Sequence, residues 1–179
     1  FFAAISAERY VSPRKGKPAV LMPNPFYPTY AAGARAAGCE TVFLPATANN
    51  GFLPDLDALS DDLLARTAAF YIASPANPQG TVADRAYFDR LKALADRYGF
   101  IILSDECYSE IYTQTAPGSM LEAAGPDFKN VVAFQSLSKR SNLPGMRVGF
   151  VAGDRKFLSA FHELRNVAAP QVPVPLQQV

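Results

Sequence analysis

The residues able to do chemistry gather in a few short stretches. Ser136-Leu137-Ser138-Lys139-Arg140 is followed, after Leu143-Pro144-Gly145-Met146, by Arg147. Upstream lie Asp105-Glu106-Cys107-Tyr108, Asn77-Pro78-Gln79-Gly80 and Asn24-Pro25-Phe26-Tyr27-Pro28. Taken singly, each has a plain structural reading. Asn77 between prolines is a turn residue, and Asp105 is a helix N-cap. Lys139 with Arg140 is a solvated charge pair, and Tyr27 and Tyr108 are core aromatics.

Together these residue types suit one kind of chemistry. A nucleophilic lysine must be neutral or already condensed with a carbonyl, and neighbouring cations such as Arg140 and Arg147 disfavour an ammonium. Arg147 with the hydroxyls of Ser136 and Ser138 makes a phosphate site, because the guanidinium fork matches phosphate oxygens. Asp105 can hold a protonated ring nitrogen, and an aromatic ring can lie on a flat heterocycle. Lysine, phosphate site, aspartate and aromatic plate are the parts that hold pyridoxal 5'-phosphate as a Schiff base.

The elements that must position these residues are legible from hydrophobic pattern. Short, nearly continuous apolar runs at 19–22, 41–44, 69–73, 100–104, 131–134 and 148–152 predict strands covered on both faces, hence a mainly parallel sheet. Helical spacing predicts helices over 1–10, 27–37, 55–67, 84–98 and 154–167. Gly38 and Gly99 stand where helices should stop. The alternation of strand and helix is that of a three-layer α/β/α fold. In such open sheets ligands sit beyond the carboxyl ends of the strands, which is where the polar stretches fall. The tail over 170–176 carries Pro170, Pro173 and Pro175 and is expected to be extended, as a linker.

Composition sets the outer limits. In 179 residues, 49% are hydrophobic and 18% charged, as in ordinary globular proteins. Seventeen Lys and Arg against sixteen Asp and Glu give a net charge of +1, without the basic excess of a nucleic-acid binder. No apolar run reaches the ~20 residues that span a bilayer. Two cysteines, Cys39 and Cys107, and a single histidine, His162, argue against a disulfide framework or a zinc site. A reduced, cytoplasmic setting is expected, with no metal, no nucleic-acid partner and no membrane. The first residue is Phe1 rather than Met, so the numbering is expected to begin inside a longer protein.

The motifs resemble those of the fold-type I pyridoxal-phosphate enzymes, specifically the class I/II aminotransferases. Ser136 to Gly149 reads as S-x-S-K-x(5)-G-x-R-x-G, and Asn77 to Gly80 as N-P-x-G. Asp105 to Tyr108 reads as D-x-x-Y, and Asn24 to Pro28 as N-P-x-[YW]-P. The resemblance implies that Lys139 carries the cofactor as a Schiff base and then shuttles a proton. It implies that Asp105 pairs with the ring nitrogen, that Tyr108 and Asn77 bond the ring's phenolic oxygen, and that Tyr27 stacks on the ring. Ser136, Arg147 and, less centrally, Ser138 would bind the phosphate. The string SLSKRSNLPGMRVGF and the earlier GFLPDLDAL look most like N-succinyldiaminopimelate aminotransferases of lysine synthesis, with an amino acid and a 2-oxo acid as substrates.

The resemblance also implies parts that these residues do not contain: a glycine-containing phosphate turn before the first helix, a C-terminal small domain with a carboxylate-gripping arginine, and an N-terminal closing segment. The expectation is therefore an incomplete large-domain core over 1–169, cut at both ends and inactive by itself, with 170–179 leading toward the small domain. A homodimer completing each site across its interface is implied as well. Cofactor-binding motifs do not fix reaction type. A β-lyase on the same scaffold, or a ligand-sensing domain of a transcription regulator, remain alternatives to the aminotransferase.

Overall fold

The computed structural model describes residues 1–10, 16–168 and 172–178. In chain order the elements are α1 (Phe2–Tyr10), β1 (Ala19–Asn24), α2 (Pro28–Ala36), β2 (Glu40–Pro45), α3 (Asp61–Ala65), β3 (Thr67–Ala73), α4 (Arg85–Tyr98) and β4 (Ile101–Asp105). There follow α5 (Met120–Ala123), β5 (Val131–Ser136), α6 (Leu137–Arg140), β6 (Gly149–Gly153), α7 (Arg155–Ala168) and α8 (Val174–Gln177). Among the described residues, no helix is long and apolar enough to cross a membrane.

The six strands form one sheet in the order β2-β1-β3-β4-β5-β6. The first five are mutually parallel, and β6 runs antiparallel to β5. Side chains alternate between two apolar layers, as a strand's two-residue period requires. Val20, Met22, Ala69, Tyr71, Ile101 and Leu103 face the core shared with α1, α2 and α7. Leu21, Phe70, Ile72 and Ile102 face the opposite core, with Leu64 of α3, Phe88 and Leu91 of α4, and Met120 of α5. Both faces of the central strands β1, β3 and β4 are covered, which is why these read as unbroken apolar runs, whereas the outer strands β2 and β6 are partly exposed.

The two longest helices, α4 and α7, start where a side chain replaces a missing backbone partner. Asp84 accepts the amide of Tyr87 at 2.8 Å and starts α4, which ends at Gly99 with φ +73°. Asp154 does the same for α7 through the amide of Phe157 at 2.9 Å.

Two local expectations are corrected. The helix expected over 55–67 is helical only at Asp61–Ala65. Asp55 instead accepts the amide of Asp57 in a turn, Ser60 then caps α3, and Thr67 already begins β3. Side-chain bonds to nearby amides outcompete the helix there. The tail is not wholly extended either. Pro173 is extended (φ −56°, ψ 141°), but Val174–Gln177 turn helically with Pro175 in the first turn, where its missing N–H costs nothing. Pro170 lies outside the described residues.

Gly149 shows how tightly β6 approaches β5. A Cβ there would lie 2.6 Å from the carbonyl oxygen of Gln135, so only glycine lets the chain return directly after Arg147.

Candidate active site

The chain passes from β1 out to β2 and returns to β3 on the other side of β1, so the strand order switches between β1 and β3. Crevices form at such points beyond the carboxyl ends. Here a cavity of about 630 Å³ opens, lined by Tyr27, Asn77, Asp105, Tyr108, Ser136, Ser138, Lys139 and Arg147. The eight residues singled out in the sequence thus share one cavity. Its size lies within the usual ~300–1,000 Å³ of small-molecule sites.

Each wall has a local cause. Asp105 ends β4, where one carboxylate oxygen accepts the Cys107 amide at 3.2 Å and the other accepts the Tyr30 hydroxyl. Asn77 donates through its amide nitrogen to the Tyr108 hydroxyl at 3.1 Å, so two cavity walls are already joined. Ser136 ends β5, and its hydroxyl accepts the Ser138 amide at 3.1 Å, which starts the single turn of α6 carrying Lys139. Arg147 adopts a left-handed backbone (φ +54°) and donates to the Pro144 carbonyl at 2.9 Å. Tyr27, at the N-cap of α2, is 60% exposed and leaves a ring available for stacking.

The structure corrects one reading and adds several residues. Arg140 does not share the field around Lys139. It pairs with Glu110 at 3.1 Å, lies over the Phe150 ring and lines a separate, smaller cavity. Successive helical residues point about 100° apart, so Lys139 and Arg140 cannot both face the same way. Among the described lining residues the cations are Lys139 and Arg147, and the one carboxylate is Asp105.

Tyr30 went unnoticed in the sequence. It stacks on Tyr71 with ring centroids 4.2 Å apart and holds Asp105 from below. Burial first, then the nearby Asp105 charge, pushes its hydroxyl well above the ordinary tyrosine range, so it remains a donor. Its three-residue spacing from Tyr27 on one helix was the available signal. Cys107 also lines the cavity, and burial followed by the Asp105 charge pushes its thiol upward, which keeps it protonated. Gln79 lines the cavity with a buried side-chain oxygen that has no partner. His162 is exposed on α7, beside Asn166.

These residues fit pyridoxal phosphate in charge, shape and donor set: a lysine, one arginine, hydroxyls, a single carboxylate and an exposed aromatic face. The fold and cavity define an α/β domain with a small-molecule cavity beyond the carboxyl ends of its parallel strands.

Comparison with known proteins makes this specific. The family model for aminotransferase class I and II matches residues 7–178, and the chain belongs to that family. The LL-diaminopimelate aminotransferase of Moorella thermoacetica is 39% identical over 148 residues, covering 82% of this chain and 37% of the relative. That of Syntrophobacter fumaroxidans is 37% identical over 147 residues, covering 82% and 38%. The crystal structure of an aminotransferase from Neisseria meningitidis aligns with a TM-score of 0.88 at 39% identity, over 98% of this chain and 46% of that one. A probable N-succinyldiaminopimelate aminotransferase from Thermus thermophilus aligns with a TM-score of 0.85 at 26% identity, over 97% and 46%. The chain therefore spans well under half the length of the curated relatives it matches.

Proposed function

We propose that this chain is the cofactor-binding portion of a pyridoxal-phosphate-dependent aminotransferase that takes a diaminopimelate-type amino donor and a 2-oxo acid acceptor in lysine synthesis. One observation carries the reading: Lys139, Asp105, Arg147, Ser136 and the Asn77–Tyr108 pair line a single cavity at the strand-order switch. When bound, pyridoxal phosphate supplies the electron sink for removing the amino group. Lys139 would hold the cofactor covalently, and its amine would move the proton at the substrate Cα. Asp105, oriented by Tyr30, would keep the ring nitrogen protonated, and Tyr27 would cover the ring face. Ser136, Ser138 and Arg147 hold the phosphate group.

The donor class rests on the names of the similar proteins and is the finer part of the reading. A cytoplasmic homodimer belongs to the same proposal. Light scattering of the full-length protein tests the homodimer.

The functional test is a panel of amino donors with 2-oxoglutarate in the full-length protein. LL-diaminopimelate or its N-succinyl derivative should exceed aspartate and alanine in kcat/KM. Pyruvate and ammonia released without an acceptor would instead identify a lyase.

A further inference from the structure

Three residues of the cavity wall each adjoin, in sequence, a member of a hydrogen-bonded group on the far side of the strands. Asp105 precedes Glu106, Tyr108 precedes Ser109, and Ser136 follows Gln135. Glu106, Ser109 and Gln135 all line the smaller cavity of about 250 Å³ behind the site. One Glu106 oxygen accepts from the Ser104 hydroxyl at 2.9 Å, the Ser119 hydroxyl at 3.1 Å and the Met120 amide at 3.0 Å. Its other oxygen accepts from the Gln135 amide nitrogen at 3.2 Å, and the Gln135 oxygen accepts from the Ser109 hydroxyl at 3.2 Å.

We propose that Gln135, held between Glu106 and Ser109, is a positioning residue that sets the directions of Asp105, Tyr108 and Ser136 for cofactor binding. The inference rests on the cofactor reading above. Its physical basis is strand geometry. Neighbouring residues on a strand point to opposite faces, so fixing Glu106 fixes the rotation of the strand end and hence the aim of Asp105. The same holds for Gln135 and Ser136. Residue pairing between β4 and β5 ends at Asp105 opposite Phe134, and one further backbone bond joins the Glu106 amide to the Phe134 carbonyl at 2.9 Å. Beyond that point the Glu106–Gln135 bond is the side-chain tie between the two strand ends. Ser109 extends it to the turn that carries Tyr108, a turn closed by the bond from the Ser109 amide to the Glu106 carbonyl at 3.1 Å.

Besides its bond to Ser104 within β4, Glu106 has two arms with different destinations. The Gln135 arm leads to cavity-wall residues. The Ser119 and Met120 arm leads to the start of α5, which belongs to the opposite core. Being 2% exposed, Glu106 needs both arms to satisfy its buried carboxylate, yet only one of them reaches the site.

The two arms make the test specific. In the full-length protein, the dissociation constant for pyridoxal phosphate is read by absorbance titration and the melting temperature in parallel. Gln135→Leu should raise the dissociation constant about tenfold or more, as expected for losing a bond to a charged, buried group. Ser109→Ala removes only the outer bond and should raise it about threefold. Ser119→Ala should lower the melting temperature while leaving the dissociation constant within about twofold, because its bond points away from the cavity.

The exchange of the two partners, E106Q with Q135E, keeps the bond between the two side chains and the bond to Ser109. The amide introduced on the β4 side donates to the carboxylate introduced on β5, and that carboxylate still accepts from the Ser109 hydroxyl. The exchange should return the dissociation constant to within about threefold of the parent, since net charge and the tie between the two strand ends are both conserved. Unchanged cofactor affinity in Gln135→Leu and Ser109→Ala would overturn the proposal. So would losses that merely track melting temperature across all variants, Ser119→Ala included. If the parent protein itself takes up no cofactor on Lys139, the functional reading fails instead.

Discussion

Asp105 and Asp154 each stand at the end of a strand in the same sheet, and their surroundings divide the work of the molecule. Asp154 spends its bonding on the scaffold: it accepts the amides of Phe157 and Asn130 at 2.9 and 2.8 Å and the Tyr10 hydroxyl at 2.7 Å. It ties α1, the segment before β5 and the start of α7 into one corner, and is 4% exposed. Asp105 accepts one amide and one hydroxyl, and its carboxylate lines the large cavity. The same residue type thus serves as a clamp when its acceptors are saturated by protein. It serves as a ligand group when it has capacity left and an opening to use it.

The contrast predicts opposite mutational behaviour. Asp105→Asn should lower turnover roughly a hundredfold or more, the scale of a lost protonation control, while the melting temperature shifts little. Asp154→Asn should do the reverse, costing about 2 kcal/mol of stability through its buried donors while cofactor affinity of the folded protein is retained. Equal effects of both substitutions on melting and turnover would erase the distinction.

Acid titration sharpens it. Burial opposes ionisation of Asp154, but the amides of Phe157 and Asn130 and the Tyr10 hydroxyl outweigh it and hold the carboxyl below its ordinary value. A depressed folded-state value contributes stability that is present above the unfolded aspartate value of about 3.9 and lost as pH falls through the folded one. Denaturant midpoints should therefore fall below about pH 4, and the Asp154→Asn variant should show a shallower fall. The smallest effect belongs to the Asn77–Tyr108 bond. Asn77→Ala should weaken cofactor binding about fivefold, the scale of one net hydrogen bond near 1 kcal/mol.

Much of the fold was legible in the chain, for reasons that differ by element. The central strands β1, β3 and β4 announced themselves because strands covered on both faces tolerate no polar interruption, while the outer β2 and β6 read as apolar although partly exposed. Helices α4 and α7 carried both a spacing and a cap. Helices α5 and α6 are four residues each, too short for any period to register. The direction of β6 was also hidden. Because β6 is antiparallel, Arg147 before its amino end meets the carboxyl ends of the other strands.

Among the site residues, motif spacing named the eight that line the cavity. It could not say which way adjacent side chains turn, which is why Arg140 was misread and why Tyr30 and the Glu106–Gln135–Ser109 group passed unseen. Those depend on contacts between residues 26 to 75 positions apart.

Lys139 as the covalent anchor for pyridoxal phosphate is the centre of the functional reading, and it can be measured directly. The cofactor is added to the full-length protein, reduced with borohydride, and the modified lysine is mapped by peptide mass spectrometry. The expected result is a visible absorbance band that disappears on reduction, a single label on Lys139, and neither in Lys139→Ala. A label on another lysine, or an unchanged band in Lys139→Ala, would contradict it.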